Sequence, residues 1–204
     1  PWWTIIMGIE HERIHLETSS VLIRQHALEH VRQHPQWRTN IITGMAPNNS
    51  LLPVPEGEIH LKKDFNDPFY GWDNEYGQHK AQVAAFAASK YLVSNQEFLA
   101  FVEADGYQTE QYWNEEGLGW LQFSQAAYPC FWRRTESGWS LRLMLEEVPM
   151  PWDWPVEVNY HEAKAFCEWK SQQLGKNIRL PTEDEWYRLY AISDLDPHLP
   201  SPEQ

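Results

Sequence analysis

The sequence predicts an α+β chain: one long helix, then a domain of short strands, short capped helices and aromatic-rich loops. Two observations predict it. Over residues 2–34, Ile5, Ile6, Ile9, Ile14, Leu22, Leu28 and Val31 recur at spacings near three and four, the period of a helix face. From Val54 onward that period is lost, and the chain is instead punctuated by Ser, Asn or Thr placed three residues before a Glu. Such capping boxes satisfy the orphan N–H groups that open a helix.

Each element follows in order. The helix over 2–34 stops at Pro35, which cannot continue it. A helix this long does not bury its apolar stripe alone, so it is expected to be the last member of a helical bundle whose other members precede Pro1. Residues 35–53 form a connector carrying Pro35, Gly44, Pro47, Asn48, Asn49 and Pro53, all turn or loop formers. Strands are expected near 56–62, 82–92 and 177–180. Ser94 with Glu97 opens a helix from Gln96 to about Ala104, closed by Gly106. Asn159 with Glu162 opens a second, closed by Gly175, and Thr182 with Glu185 opens a third over EDEWYRLYAI. The tail SDLDPHLPSPEQ reads as polar and poorly ordered.

Composition narrows the function. There are 16 Lys and Arg against 29 Asp and Glu, a net charge of −13, with no local basic cluster. An acidic surface disfavours a phosphate backbone, so no nucleic-acid partner is expected. No apolar run approaches the about 18 residues of a membrane span, so no membrane role is expected. Two cysteines, Cys130 and Cys167, lack CxxC spacing and fit a reducing, cytoplasmic setting. Twelve Trp are an unusual load, serving either as core filler or as the lining of an aromatic site.

The residues that carry chemistry are histidines. His11 and His15 stand four apart in HERIH, on one helix face about 6 Å apart along the axis. Two imidazoles so placed are either ligands to one transition metal or two solvated side chains. Glu12 lies about 100° round the helix and cannot share that face. Glu17 reads as an outer-shell group or a solvated carboxylate. His26, His30 and His34 also recur every four residues and read as solvated positions near the exposed helix end, too far from His15 to share its ion. His60, His79, His161 and His198 have no ligand spacing and read as surface or core. Cys167, between aromatic neighbours, reads as a core thiol, and neither cysteine has an adjacent base.

Four blocks then supply a resemblance. VPEGEIHLKKDFNDPFYGWDNEYG, YLVSNQEFLAFVEADGY, WDWPVEVNYHEAKAFCEW and IRLPTEDEW occur in order over about 54–190. Together they resemble the formylglycine-generating-enzyme-like (sulfatase-modifying-factor) domain, a C-type-lectin-like α+β fold with little regular structure. The preceding HERIHLETSSVLIRQ resembles the HxxxH helix of the DinB-like bundle in non-heme iron sulfoxide synthases. The resemblance divides the chain into the last bundle helix (1–34), a linker (35–53) and the first part of the lectin-like domain (54–204). It implies Fe(II) as cofactor, with His11 and His15 as two of three histidine ligands and the third upstream of Pro1. Dioxygen is the implied co-substrate, and cysteine and histidine are the implied small-molecule substrates. HLETSSVLIRQ and PFYGWDNEYG look closer to the ovothiol branch, 5-histidylcysteine sulfoxide synthase. The ergothioneine branch, which uses trimethylhistidine, often has a polar Gln before the second ligand, where this chain has Ile14. A non-catalytic module of the same fold and a copper oxidase acting on a protein cysteine are the other readings. The aromatic-rich domain is expected to roof the metal cleft. The catalytic tyrosine is expected beyond Gln204, and residues 1–204 alone are expected to be inactive.

Overall fold

The computed structural model describes residues 2–36, 39 and 41–193. The polar tail and His198 lie outside the described residues. Helix α1 runs from Trp2 to Gln25, and the chain forms two compact units. The first comprises the start of α1 to Ile9, residues 50–90 and residues 181–193; the second comprises the described residues of 10–49 and residues 91–180. The architecture is α+β, as the sequence predicts.

Unit 1 holds two antiparallel ribbons and a helix. Strand β1 (Leu51–Val54) pairs with β4 (Phe86–Ser89), and β2 (Gly57–Lys63) pairs with β3 (Gly77–Val83). Val54, Ile59 and Val83 are its buried aliphatics. Helix α5 (Glu183–Ile192) starts at a Thr182 capping box with Glu185. Its Arg188 donates from Nε to the Pro55 carbonyl and from Nη2 to the Glu56 carbonyl, both at 3.0 Å. The loop between β2 and β3 is aromatic: Phe65 stacks on Tyr76 at 4.7 Å, and Tyr70 meets Trp3 and Trp72, each at 5.7 Å.

Unit 2 holds the core. Helices α2 (Asn95–Glu103), α3 (Glu115–Ser124) and α4 (Tyr160–Leu174) pack beside a sheet of β5 (Trp132–Thr135), β6 (Gly138–Arg142) and β7 (Glu147–Pro149). Phe98, Phe101, Tyr107, Trp113, Phe166 and Trp169 form one cluster, and Leu99, Trp132, Leu141, Val148 and Met150 another. Helix α2 contributes to both, because Phe98 and Leu99 sit on adjacent flanks of its buried face. The opening amides of α2 donate to the carbonyls of Trp154 and Trp152, at 2.8 and 3.0 Å. The segment after β7 thereby satisfies donors that a helix start leaves orphaned. Among the tryptophans, Trp113, Trp132 and Trp169 serve as core filler, whereas Trp2, Trp3 and Trp186 are exposed.

The structure departs from the sequence reading at four places. Helix α1 ends at Gln25, not at residue 34. His26 bends away, Leu28–His30 form a single 3₁₀ turn, and the Arg142 guanidinium takes the His26 carbonyl at 3.2 Å. A long-range partner thus stops the helix ten residues before the proline. The stretch 82–92 divides into the end of β3 and β4, which belong to different ribbons. Residues 177–180 are not a strand, because the amide and carbonyl of Ile178 both bond to the Ser171 hydroxyl on α4. Helix α3 and the β5–β7 sheet carry no capping-box signal. Asn114 does cap α3 by accepting from the Gly117 amide at 2.9 Å, but glycine there leaves no reciprocal carboxylate.

The three capping residues Ser94, Asn159 and Thr182 all cap their helices, and Gly175 closes α4 at φ +60. At Ser94 only half the box forms. Glu97 turns instead to Lys170 and Asn49, at 3.1 Å each. At Asn159 the box is buried: Glu162 accepts from the Asn159 amide at 2.8 Å and from the Tyr107 hydroxyl at 2.5 Å. Burial pushes the Glu162 carboxyl above its ordinary value, and the Tyr107 bond pulls partly the other way. Burial, then the Glu162 charge, push the Tyr107 hydroxyl above its ordinary range.

Two expected outcomes follow from this core. A Cβ at Gly106 would stand 2.3–2.6 Å from the ring of the fully buried Phe101. Gly106→Ala is therefore expected to cost about 1–3 kcal/mol in urea denaturation, by overpacking. Tyr107→Phe removes a donor that favours ionised Glu162. Because the folded-state pKa of Glu162 is raised, its favourable contribution is present below the unfolded pKa and fades as pH rises through the folded value. The loss in Tyr107→Phe is accordingly greater at neutral than at acidic pH, reaching about 1–3 kcal/mol in denaturation curves. An equal loss at both would contradict the assignment.

Candidate metal centre

Unit 2 begins with the part of α1 that carries His11 and His15. One helical turn separates them, and both are exposed. Their Nε2 atoms lie 2.9 Å apart, with the rings edge to face at a centroid distance of 4.6 Å. Two chemistries produce that spacing. An imidazole N–H can donate to the other ring when the two carry opposite tautomers. Alternatively, both lone pairs can serve one cation. Metal–nitrogen bonds of about 2.1 Å at a right angle place adjacent ligand nitrogens about 3 Å apart. The 2.9 Å separation matches that spacing, and two imidazole nitrogens are a donor type that suits a nitrogen-preferring transition metal. Among the described residues, no group of three His, Cys, Asp or Glu forms a metal cluster. The described residues therefore offer two ligands.

The other titratable residues named by the sequence do not join this pair. Glu12 and Glu17 are exposed on α1. With the helix ending at Gln25, His26, His30 and His34 do not lie on one α-helix, and His30 ends a separate 3₁₀ turn. All three are exposed, and His30 lies 3.8 Å from the Glu29 carboxylate. His60 is exposed on β2, and His79 on β3 bonds Asp184 through Nε2 at 2.8 Å. His161 is half-buried on α4, stacked near Trp120 at 6.3 Å. Cys130 is exposed and Cys167 half-buried; both are free, and burial pushes both thiols up, away from the thiolate form.

Three grooves lie elsewhere. In unit 2, one of about 930 Å³ runs along α3 past Tyr107, Glu110, Glu115 and Gln122. A smaller one of about 290 Å³ is bordered by Lys164, Cys167 and Arg179. In unit 1, about 850 Å³ opens beside His60, His79 and Tyr187. His11 and His15 line none of the three, so these grooves do not supply the expected roof. Among the described residues no helix is long and apolar enough to cross a membrane.

What sequence reasoning missed is long-range. Arg24 reaches residues 118 and 133 positions away, and Tyr107 reaches one 55 positions away. No local spacing marks such pairs.

Comparison with known proteins places the domain that follows α1 in a family. Residues 42–192 match the sulfatase-modifying factor enzyme 1-like domain. A hercynine oxygenase of Mycolicibacterium thermoresistibile is 34% identical over 136 residues, covering 64% of this chain and 28% of that protein. Formylglycine-generating enzyme of Bos taurus is 30% identical over 159 residues, covering 69% of this chain and 39% of that protein. Ergothioneine biosynthesis protein 1 of Neurospora crassa is 26% identical over 223 aligned positions, covering 93% of this chain and 24% of that protein. The chain thus spans between 24% and 39% of the length of these relatives. The last alignment also takes in most of the chain outside the domain match. With residues 42–192 accounted for, the chain belongs to the sulfatase-modifying factor enzyme 1-like domain family.

Proposed function

We propose that the protein is a non-heme iron, dioxygen-dependent sulfoxide synthase that joins the sulfur of cysteine to the imidazole ring of histidine. The single observation that carries this reading is the 2.9 Å approach of the His11 and His15 Nε2 atoms on the helix preceding the family domain. Relatives named hercynine oxygenase and ergothioneine biosynthesis protein support the reaction class. His11 and His15, with a further ligand, would hold the iron, which when bound would supply the one-electron chemistry that dioxygen needs.

The chain's own residues do the rest by position. Each imidazole must be neutral to ligate, so protonation in acid competes with the metal. At four-residue spacing the helix backbone holds both rings on one face. The exposed Cys130 and half-buried Cys167 thiols are poor nucleophiles, pushed up from the ordinary thiol value by burial, which leaves the reacting sulfur to the substrate.

A second reading rests on the names of the relatives. Hercynine is histidine trimethylated on its amino nitrogen, and hercynine oxygenases match this chain at 31–36% identity. On that reading the enzyme belongs to the ergothioneine branch. Ile14 and the blocks HLETSSVLIRQ and PFYGWDNEYG support free histidine instead.

Two measurements test these readings in the full-length protein. His11→Ala and His15→Ala, singly and together, are expected to abolish stoichiometric iron with the helical content unchanged. Retained stoichiometric iron refutes the ligand assignment. Supplied with cysteine, Fe(II) and dioxygen, the enzyme is expected to convert histidine to 5-histidylcysteine sulfoxide, read by product mass. Turnover of hercynine with histidine untouched moves the protein to the ergothioneine branch.

A further inference from the structure

We propose that Arg24 is a positioning residue: it anchors the face of α1 opposite His11 and His15, and so sets the direction in which the two imidazoles point. The proposal rests on the reading of those histidines as metal ligands.

No side chain of α1 is fully buried; the contacts of its start, such as Trp3 with Tyr70, belong to unit 1, and within unit 2 no packed stripe sets the orientation of the helix. Its last turn is instead clasped from two sides. The Arg24 Nε donates to the Arg142 carbonyl at 2.6 Å, and Nη1 donates to Glu157 Oε2 at 2.5 Å. The guanidinium carbon of Arg24 stands 3.7 Å from the centre of the Phe131 ring. In return, the buried Arg142 guanidinium donates to the His26 carbonyl, just past the end of the helix, at 3.2 Å. Two backbone carbonyls, one carboxylate and one ring therefore hold the helix end, and all belong to unit 2.

Helix geometry places this clasp relative to the ligands. At about 100° per residue, Arg24 lies about 180° from His15 and about 140° from His11 around the axis. The exposure pattern agrees. Between residues 10 and 25 the half-buried positions are Glu10, Ser20, Ile23 and Arg24, and Glu10 and Ser20 fall within about 40° of Arg24. The anchored face and the imidazole face are thus opposite sides of one rod. The clasp leaves the imidazoles free to meet further ligands and substrate, while limiting how far the helix can roll.

Magnitudes separate the contributions. Glu157 is 60% exposed, so its ion pair adds little by itself. Stacking on Phe131 while bonding the carbonyl and the carboxylate together needs the flat, forked guanidinium; a lysine ammonium can donate to one of the acceptors but cannot make all three contacts. Arg24→Lys should therefore keep the charge and lose most of the clasp.

The test uses full-length protein: wild type, Arg24→Ala, Arg24→Lys, and Arg13→Ala as a control at an exposed arginine of the same helix. In Arg24→Ala, amide exchange over residues 16–25 is expected to quicken about tenfold or more. Iron affinity is expected to fall about tenfold. The kcat is expected to drop about 10–100-fold with the KM for cysteine little changed, since a misplaced centre loses rate before binding. Arg24→Lys should fall between Arg24→Ala and wild type, and Arg13→Ala should match wild type. Wild-type exchange, iron affinity and kcat in Arg24→Ala would overturn the proposal. Wild-type protein that binds no iron overturns the metal reading instead, and the exchange comparison then still accepts or rejects the anchor.

Discussion

Glu162 carries a carboxylate into the core of unit 2, where it can stay only because two donors meet it. The Asn159 amide and the Tyr107 hydroxyl occupy one oxygen each. The first bond starts α4, and the second ties α4 to the turn after α2, where Gly106 sits against Phe101. Around that knot pack Phe98, Trp113, Phe166 and Trp169. A buried acceptor without its donors would cost more than the pair contributes when complete. The arrangement therefore tolerates few alternatives, and it gives unit 2 one way to close. The sheet cluster around Trp132 shares α2 with this core, and Arg142 at the end of β6 carries its order out to the end of α1.

The comparison of sequence with structure turns on range. Ser94, Asn159 and Thr182 were legible because a cap is a local event, written within three residues. Gly175 was legible for the same reason. The end of α1 was not, since Pro35 is the only local stop signal, and the actual stop comes from a guanidinium over a hundred residues away. The stretch at 177–180 failed in the same way: a hydroxyl on α4 took the hydrogen bonds that a neighbouring strand would have taken. Trp132 and Trp139 are far apart in role from Trp2 and Trp186, yet nothing in the letter W distinguishes filler from surface. That sorting is done by which helix or strand lies opposite, which is tertiary information.

The candidate site divides along the same line. His11 and His15 were readable because i,i+4 spacing on a helix is enough to bring two rings together, and the 2.9 Å between their nitrogens is what such spacing allows. Their context was less readable. The aromatic richness of the chain suggested a roof over the pair, but the aromatics are spent on the core of unit 2 and on the loop between β2 and β3. What the structure adds to this helix, among the described residues, is the set of contacts that Arg24 makes near its end. The family match covers residues 42–192, which lie after this helix in the sequence.

The connector between α1 and the domain has a mechanical consequence. Its second half is fastened to unit 2. Asp153 accepts from the Thr43 hydroxyl at 2.6 Å and the Gly44 amide at 2.8 Å, Trp154 donates to the Ile42 carbonyl at 2.9 Å, and Asn49 bridges to Tyr91. In sequence, only the residues between Gln25 and Ile41 separate these contacts from the end of α1. Entropy of loop closure grows slowly with length, about 0.6 kcal/mol per doubling, and a tether already shortened at one end forfeits less still. A helix that slips its moorings is thus recaptured from very close by, at high effective concentration. A few polar contacts at its tip can then keep a largely solvent-facing rod in one pose.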